Sequence, residues 1–227
     1  LLVRYDLEAM ARALDRDALA RRPAGLWRYR EFLPVRHDEN VVSLGEVATP
    51  LLAVPRLAHR LGARKILIKD EGRLPTGSFK ARGLALAVSM AKELGITRMA
   101  LPTNGNAGAA LAAYASRAGI ESWVFCPDDT PGINVRETAL QGAKVWRVNG
   151  LINDCGRLVG EGTEALSKKR PGEKVGYLGP LGFGFSPSEK PVQIFVAGGV
   201  GIVPFYLFAK QVCRRKKKPR MILLFGG

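Results

Sequence analysis

Two hydrophobic periods alternate along the middle of this chain. Short apolar runs at residues 65–69, 98–101, 122–126 and 144–148 read as strands, and each precedes a stretch whose apolar positions recur at three- and four-residue spacing. Those stretches predict helices over 78–94, 107–118 and 133–140, stopped by Gly95, Gly119 and Gly142, and a further helix beginning near Asn153. Strand alternating with helix implies right-handed crossovers, hence an α/β fold on a doubly wound parallel sheet. In such sheets ligands lie outside the carboxyl ends of the strands, which here are the loops after Lys69, Leu101 and Cys126.

The flanks differ. Residues 1–35 read as helical, with a helix over 6–19 that Asp6 would cap, and with Pro23, Gly25 and Pro34 as punctuation. A short helical piece over 54–61 ends at Gly62. Past Gly160 glycine and proline become frequent and the alternation lapses until Val192. A strand over 193–196, a glycine turn over 198–201, a helix over 204–213 and a strand over 221–225 then read as one more βαβ unit that stops short. No internal repeat joins the two halves.

Composition narrows the classes. At 227 residues, 47% hydrophobic and 24% charged, the chain suits one large domain or two small ones with a sizeable core. A net charge of +15 raises nucleic acid or acidic lipid as partners. The dense basic runs are confined to 168–170 and 214–218, with no zinc-finger or RNA-recognition spacing, so a solvated basic surface is the preferred reading and nucleic acid is disfavoured. Cys126, Cys155 and Cys213 lie far apart without a CxxC pair, which points to reduced thiols in a cytoplasmic protein and to no metal site. No apolar run reaches the ~18 residues of a membrane span. The first residues lack the order of a signal peptide and the chain opens without methionine, as a fragment would.

The candidate chemistry sits in residues 69–83, KDEGRLPTGSFKARG. Lys80 follows the turn Pro75-Thr76-Gly77 at the start of a helix, where the positive helix end and partial burial would both lower an amine's pKa. The next strand-to-helix loop, TNGNAG at 103–108, brings Asn106 to the same crevice, with glycines that let a ligand approach the backbone. A lysine and an amide so placed suit pyridoxal phosphate, with Lys80 as the Schiff-base amine and Asn106 bonding the ring hydroxyl. The same spacing also suits an ordinary surface lysine. A P-loop is the rival motif, since Gly72 and Gly77 are five apart, but Ser78 stands where its lysine belongs and no Ser or Thr follows Lys80.

The stretch LPTGSFKARG, together with TNGNAGAALAAYASRAG at 103–119, closely resembles the threonine synthases, members of the fold type II family of pyridoxal-phosphate enzymes. The likeness runs from about Val3 to about Gly162 and takes in KDEG, PDDTPGINVRE and GLINDCGRLV. Within that family, dehydratases tend to carry GNHAQG where this chain has GNAGAA, and cysteine synthases Ser-Val-Lys-Asp where it has Ser-Phe-Lys-Ala. The next competitors are a cysteate-synthase-like relative and then a threonine dehydratase. The resemblance implies a small-molecule substrate, O-phosphohomoserine, converted to threonine and phosphate, and it admits a homo-oligomer. Lys80 would hold the cofactor and then shuttle protons at the substrate's α and β carbons, Phe79 would pack beside the ring, and Asn106 would bond O3′. An ordinary core aromatic is the competing reading of Phe79; Asp70 and Glu71 could orient the loop, but a capping or solvated role is preferred for them. The family's later glycine-rich phosphate loop and its hydroxyl residue facing the pyridine nitrogen are not located here. That leaves a small domain without most of the large one, and an active site expected to be incomplete. The N-terminal cysteines of some relatives are also missing.

The tail resembles another family. GTEALSKKRPGEKVGYLGPLGFGF at 162–185 and FVAGGVGIVPFYLFAK at 195–210 look like the electron-transfer subunit of dihydroorotate dehydrogenase, a ferredoxin-reductase-like flavoprotein. This implies a partial NAD-binding βαβ segment, with Gly198, Gly199 and Gly201 at the turn where a nicotinamide dinucleotide passes and NAD or flavin as a second cofactor. A tight strand-to-helix turn without a ligand is the competing reading. The expected organisation is therefore 1–162, threonine-synthase-like N-terminal region and small domain, and 163–227, a partial flavin/NAD-reductase-like segment. They join near 157–163 as in a chimera or fragment. Each part would expose apolar faces unless the tail's strands extend the first sheet.

Overall fold

The structure, a computed structural model, describes residues 5–169 and three later strands at 176–177, 192–198 and 220–226. The elements run α1 (Leu7–Ala13), α2 (Arg16–Arg21), β1 (Leu51–Ala53), α3 (Pro55–Arg60), β2 (Ile66–Asp70), α4 (Lys80–Glu93), β3 (Arg98–Pro102) and α5 (Asn106–Ala118). They continue with β4 (Glu121–Pro127), α6 (Gly132–Leu140), β5 (Lys144–Val148), α7 (Ile152–Lys169), β6 (Gly176–Tyr177), β7 (Val192–Gly198) and β8 (Arg220–Gly226). The helix expected over 204–213 lies outside the described residues. Asp6 caps α1 as expected, its carboxylate accepting the Ala9 N–H at 2.9 Å. The single helix expected over 6–19 is two, because the Asp15 carboxylate accepts the N–H groups of Asp17 and Ala18 and starts α2 afresh.

The strands expected in one sheet divide between two. One sheet, ordered β5-β4-β3-β6, is parallel throughout. The other is ordered β1-β2-β8-β7, with β1 antiparallel to β2 and the rest parallel. The reason is edge occupancy. β2 is hydrogen-bonded on one side by β1 and on the other by β8, in register from Ile66 opposite Met221 to Asp70 opposite Phe225, so it offers no edge to β3. The tail thus extends the sheet of β2, the condition on which covered apolar faces depended.

The core lies between α4 and α5. On α4, Ala81, Leu84, Ala85, Val88, Ser89 and Ala91 are buried, a helical stripe. On α5 every residue from Gly108 to Ala115 is buried, so this helix is enclosed all round, and its alanines let α4 and the neighbouring strands approach closely. β4 alternates buried Ser122, Val124 and Cys126 with half-buried Glu121, Trp123 and Phe125, the period of two expected of a strand. Cys126 and Cys155 are buried, and burial pushes both thiols up.

Residues 35–46 strap these helices together. Glu93, in the last turn of α4, accepts the backbone N–H groups of Arg36 and His37 at 2.9 and 3.1 Å. Ser89 accepts the Val42 N–H at 2.8 Å. Glu46, almost fully buried, accepts hydrogen bonds from the Tyr114 hydroxyl at 2.5 Å, Ser43 at 2.6 Å and the Leu44 N–H at 2.9 Å. Burial pushes the Glu46 carboxyl up, but these three donors outweigh it and hold it below its ordinary value; burial and then Glu46 raise the Tyr114 hydroxyl.

A depressed folded-state carboxyl contributes stability that is complete above the ordinary value of 4.5 and is lost as pH falls through the folded value. The thermal midpoint should therefore fall on acidification below about pH 4.5, and Glu46→Gln should make that acid limb shallower while lowering the midpoint at neutral pH. Thermal melts between about pH 7 and pH 3 check this; an unaltered acid limb in the variant would contradict it.

Candidate active site

The chain leaves β2 through a 3₁₀ turn at Glu71–Arg73, then passes buried Leu74 and a second turn at Pro75–Gly77. Thr76 and Gly77 have φ of 68° and 66°. Left-handed backbone is ordinary for glycine but costs a β-branched residue about 1–3 kcal/mol. Fully buried Ser78 follows, then Phe79, and α4 begins at Lys80. The expected turn is present; the strain at Thr76 had no signal in the sequence.

Lys80 is exposed, so the partial burial expected of it is absent: the first turn of α4 directs it away from the core that Ala81 enters. Its ammonium lies 4.7 Å from the centroid of the half-buried Phe79 ring. Asn106 is the first residue of α5 and is half-buried. The two helices that begin at Lys80 and Asn106 pack on each other, and the Pro75–Gly77 turn also packs on α5. The strands ahead of them belong to different sheets, so the two predicted residues are joined by helix packing rather than as neighbours along one sheet.

Glu71 is the polar centre of this region, which corrects the preferred reading of it as a capping or solvated residue and leaves the other, that it orients the loop. It is 2% exposed, neither a cap nor solvated. It accepts from Arg82 Nε at 2.5 Å and from Arg82 NH2 at 2.9 Å, and from the Thr49 hydroxyl; the Lys69 ammonium in turn donates to the Thr49 carbonyl. Burial pushes the Glu71 carboxyl up, but Arg82, Thr49 and the charge of Lys69 hold it below its ordinary value. Burial is also the main cause that lowers the Lys69 amine, against the pull of Glu71. Asp70 pairs with Arg73 at 2.9 Å. The visible signal for Glu71 was its place directly after an apolar strand, with a basic residue on the following helix.

The 103–108 loop is tight. Thr103 Oγ1 accepts the N–H groups of Gly105 and Gly108, closing the loop onto the start of α5. Gly105 has φ of +148°, and a Cβ there would lie 2.3 Å from the Asn134 side chain; one on Gly108 would lie 2.7 Å from Thr103 Cγ2. Beyond this loop, at the carboxyl ends of β3, β4 and β5, opens a pocket of about 340 Å³ lined by Asn104, Pro127, Asp129, Thr130, Leu151 and Asn153. Lys80 and Asn106 are not in its wall, but Asn104, two residues before Asn106, is. Among the described residues no group of three or more His, Cys, Asp or Glu is placed to hold a metal ion, and no helix is long and apolar enough to cross a membrane. Gly198 ends β7, and Gly199 and Gly201 lie outside the described residues.

The model of the pyridoxal-phosphate dependent enzyme family matches residues 42–184, which hold both loops and the helices they open. The chain belongs to the pyridoxal-phosphate dependent enzymes. Among proteins of this family it is similar to the threonine synthase of Methanocaldococcus jannaschii, 38% identical over 152 residues that cover 66% of this chain and 38% of that protein. It is also similar to the threonine synthase of Mycobacterium leprae, 40% identical over 134 residues that cover 59% of this chain and 37% of that protein. The chain therefore spans under half the length of these relatives. The fold is similar to holo diaminopropionate ammonia lyase from Escherichia coli, with a TM-score of 0.57 at 19% identity over 82% of this chain and 57% of that one. It is also similar to threonine deaminase isoform 2 from Solanum lycopersicum, with a TM-score of 0.52 at 20% identity over 90% of this chain and 58% of that one. The family match runs past residue 162, the expected boundary, which falls within α7.

The cofactor of the family finds matching chemistry here: an exposed primary amine beside an aromatic ring, and a loop that a single Cβ would obstruct. Gly105→Ala tests how rigidly that loop is set. It should destabilise the protein by about 1–3 kcal/mol in urea unfolding, and Asn134→Ala in the same chain should recover only the part due to the clash, leaving the backbone cost. Full recovery would show that the backbone at Gly105 is unstrained.

Proposed function

We propose that this chain carries the lysine-bearing part of a threonine synthase-type enzyme, which converts O-phosphohomoserine and water to threonine and phosphate. The observation that carries this reading is Lys80, an exposed amine at the N-terminus of a 14-residue helix, beside Phe79 and packed through α4 on the helix that Asn106 opens. The 38% identity to a threonine synthase supports the choice of substrate within the family.

Lys80 would hold pyridoxal phosphate through its amine, with Phe79 as a flat apolar wall beside the ring and Asn106 as hydrogen-bond partner to O3′. When bound, the cofactor supplies an electron sink for breaking the carbon–hydrogen bond next to the substrate's amine. The Lys80 amine, once free, takes and returns protons at the substrate's α and β carbons. The N-termini of α4 and α5 present positive helix ends to an anionic substrate, and the net charge of +15 draws such a molecule in. The same reading places the protein in the cytoplasm, working on a small molecule and able to form a homo-oligomer.

For residues 163–227 the proposal is a partial flavin/NAD-reductase-like segment following the threonine-synthase-like part at 1–162, with Gly198, Gly199 and Gly201 at a dinucleotide turn. It rests on the sequence motifs of that segment. The pairing of β8 with β2 gives the same residues a second role, as part of the sheet behind Lys80.

Titration with pyridoxal phosphate, followed by visible absorbance, tests the reading. The protein should develop a saturable band that Lys80→Ala lacks; release of phosphate from O-phosphohomoserine is not expected of a chain that carries only this part of the active site. A band of equal strength in Lys80→Ala would overturn the assignment of the lysine.

A further inference from the structure

We infer that the buried Glu71–Arg82 pair is a clamp that sets the position of the Lys80 amine, which makes Glu71, Arg82 and Thr49 positioning residues; this rests on the reading of Lys80 as the cofactor lysine. Arg82 follows Lys80 by two positions, about 200° around the helix at 3.6 residues per turn. Anchoring Arg82 inward therefore turns Lys80 outward, and the two side chains are respectively partly buried in the pair and exposed.

The first turn of α4 is closed by short-range backbone bonds, Ala81 N–H to the Ser78 carbonyl at 3.2 Å and Arg82 N–H to the Phe79 carbonyl at 3.1 Å, and by buried Ala81, but it has no side-chain cap. Its N-cap is Phe79, which makes no side-chain cap hydrogen bond, and the Lys80 N–H reaches only Ser78 Oγ at 3.3 Å. Tight bonds of this kind to the residues just before the helix set its start but not the direction in which its side chains leave, which tertiary contacts must fix. The two-point contact of the Arg82 guanidinium on Glu71 supplies such a contact and fixes orientation as well as distance. Glu71 and Arg82 also close the ends of the segment that holds Thr76 in left-handed backbone. With the clamp open, that residue can relax and carry the start of α4 with it.

A buried ion pair is a poor device for stability alone, because apolar residues of similar size serve as well or better. Its directionality is what an apolar contact lacks. Thr49 and Lys69 complete the arrangement: the hydroxyl of Thr49 satisfies the same Glu71 oxygen that Arg82 NH2 meets, and Lys69 holds the Thr49 carbonyl.

Arg82→Lys keeps the charge and loses the fork; Thr49→Val removes one donor and leaves the ion pair in place. Amide hydrogen exchange by mass spectrometry should show the peptide covering residues 78–83 exchanging about tenfold faster in Arg82→Lys and by a smaller factor in Thr49→Val, with the β4 peptide unchanged in both. Acylation of Lys80 by an amine reagent, measured relative to Lys92 in the same molecule, should shift about threefold in the same order of variants. Faster exchange spread evenly over the molecule, or no change at 78–83, would overturn the clamp. Should Arg82→Lys fail to fold, Thr49→Val decides on the same two readouts. A wild-type protein that takes no pyridoxal phosphate at Lys80 would remove the cofactor reading, while the exchange comparison still decides the clamp.

Discussion

Burying one carboxylate constrains this molecule more than any other single feature. Glu71 sits at the exit of β2 with almost no contact with water, and a charge in that place persists only with its donors in position. Arg82 brings α4 to it, Thr49 brings the segment before β1, and Lys69 on β2 holds Thr49. Three parts of the chain distant in sequence thereby meet beside the turn that precedes Lys80. Glu46 plays a matching part where Tyr114 of α5 and the strap over 42–46 converge, near enough to Arg82 for that charge to act on the Tyr114 hydroxyl. Both carboxylates are held ionised by hydrogen bonds that outweigh burial.

Around these polar anchors the packing is built from small residues. The fully enclosed α5, rich in alanine, lets α4 lie close, and the N-termini of both helices carry the residues of interest. The sheets on either side differ in kind: one is parallel and holds the three consecutive βα units from β3 to β5, while the other mixes an antiparallel edge with strands from the tail. Lys80 leaves from the second and Asn106 from the first. Lys80 and Asn106 therefore stand at the starts of two packed helices whose preceding strands lie in different sheets, with α4 joining one sheet to the other along the chain.

Much of this was legible in the sequence. The βα alternation from β2 to β5 came from the change of hydrophobic period, and Gly62, Gly95, Gly119 and Gly142 all adopt the positive φ expected of helix stops. Lys80, Phe79 and Asn106 stand at the helix starts where their motifs placed them. The division into two sheets was not legible, because β2 takes its parallel partner from residues 220–226 and no local pattern encodes a pairing at that separation. Glu71 was misread since a Glu after a strand is usually solvated, and only the later Arg82 makes its burial affordable. The exposure of Lys80 reversed an expectation drawn from helix position alone: the same helix start that offers a dipole also faces solvent.

The central claim is that Lys80, among all the lysines of a strongly basic chain, is the one arranged to hold the cofactor. Reduction of the pyridoxal phosphate-treated protein with borohydride, followed by peptide mass mapping at substoichiometric cofactor, tests it directly. The account predicts the added mass predominantly on the peptide containing Lys80. Mass distributed over exposed lysines such as Lys65 and Lys144, with no preference for Lys80, would contradict it.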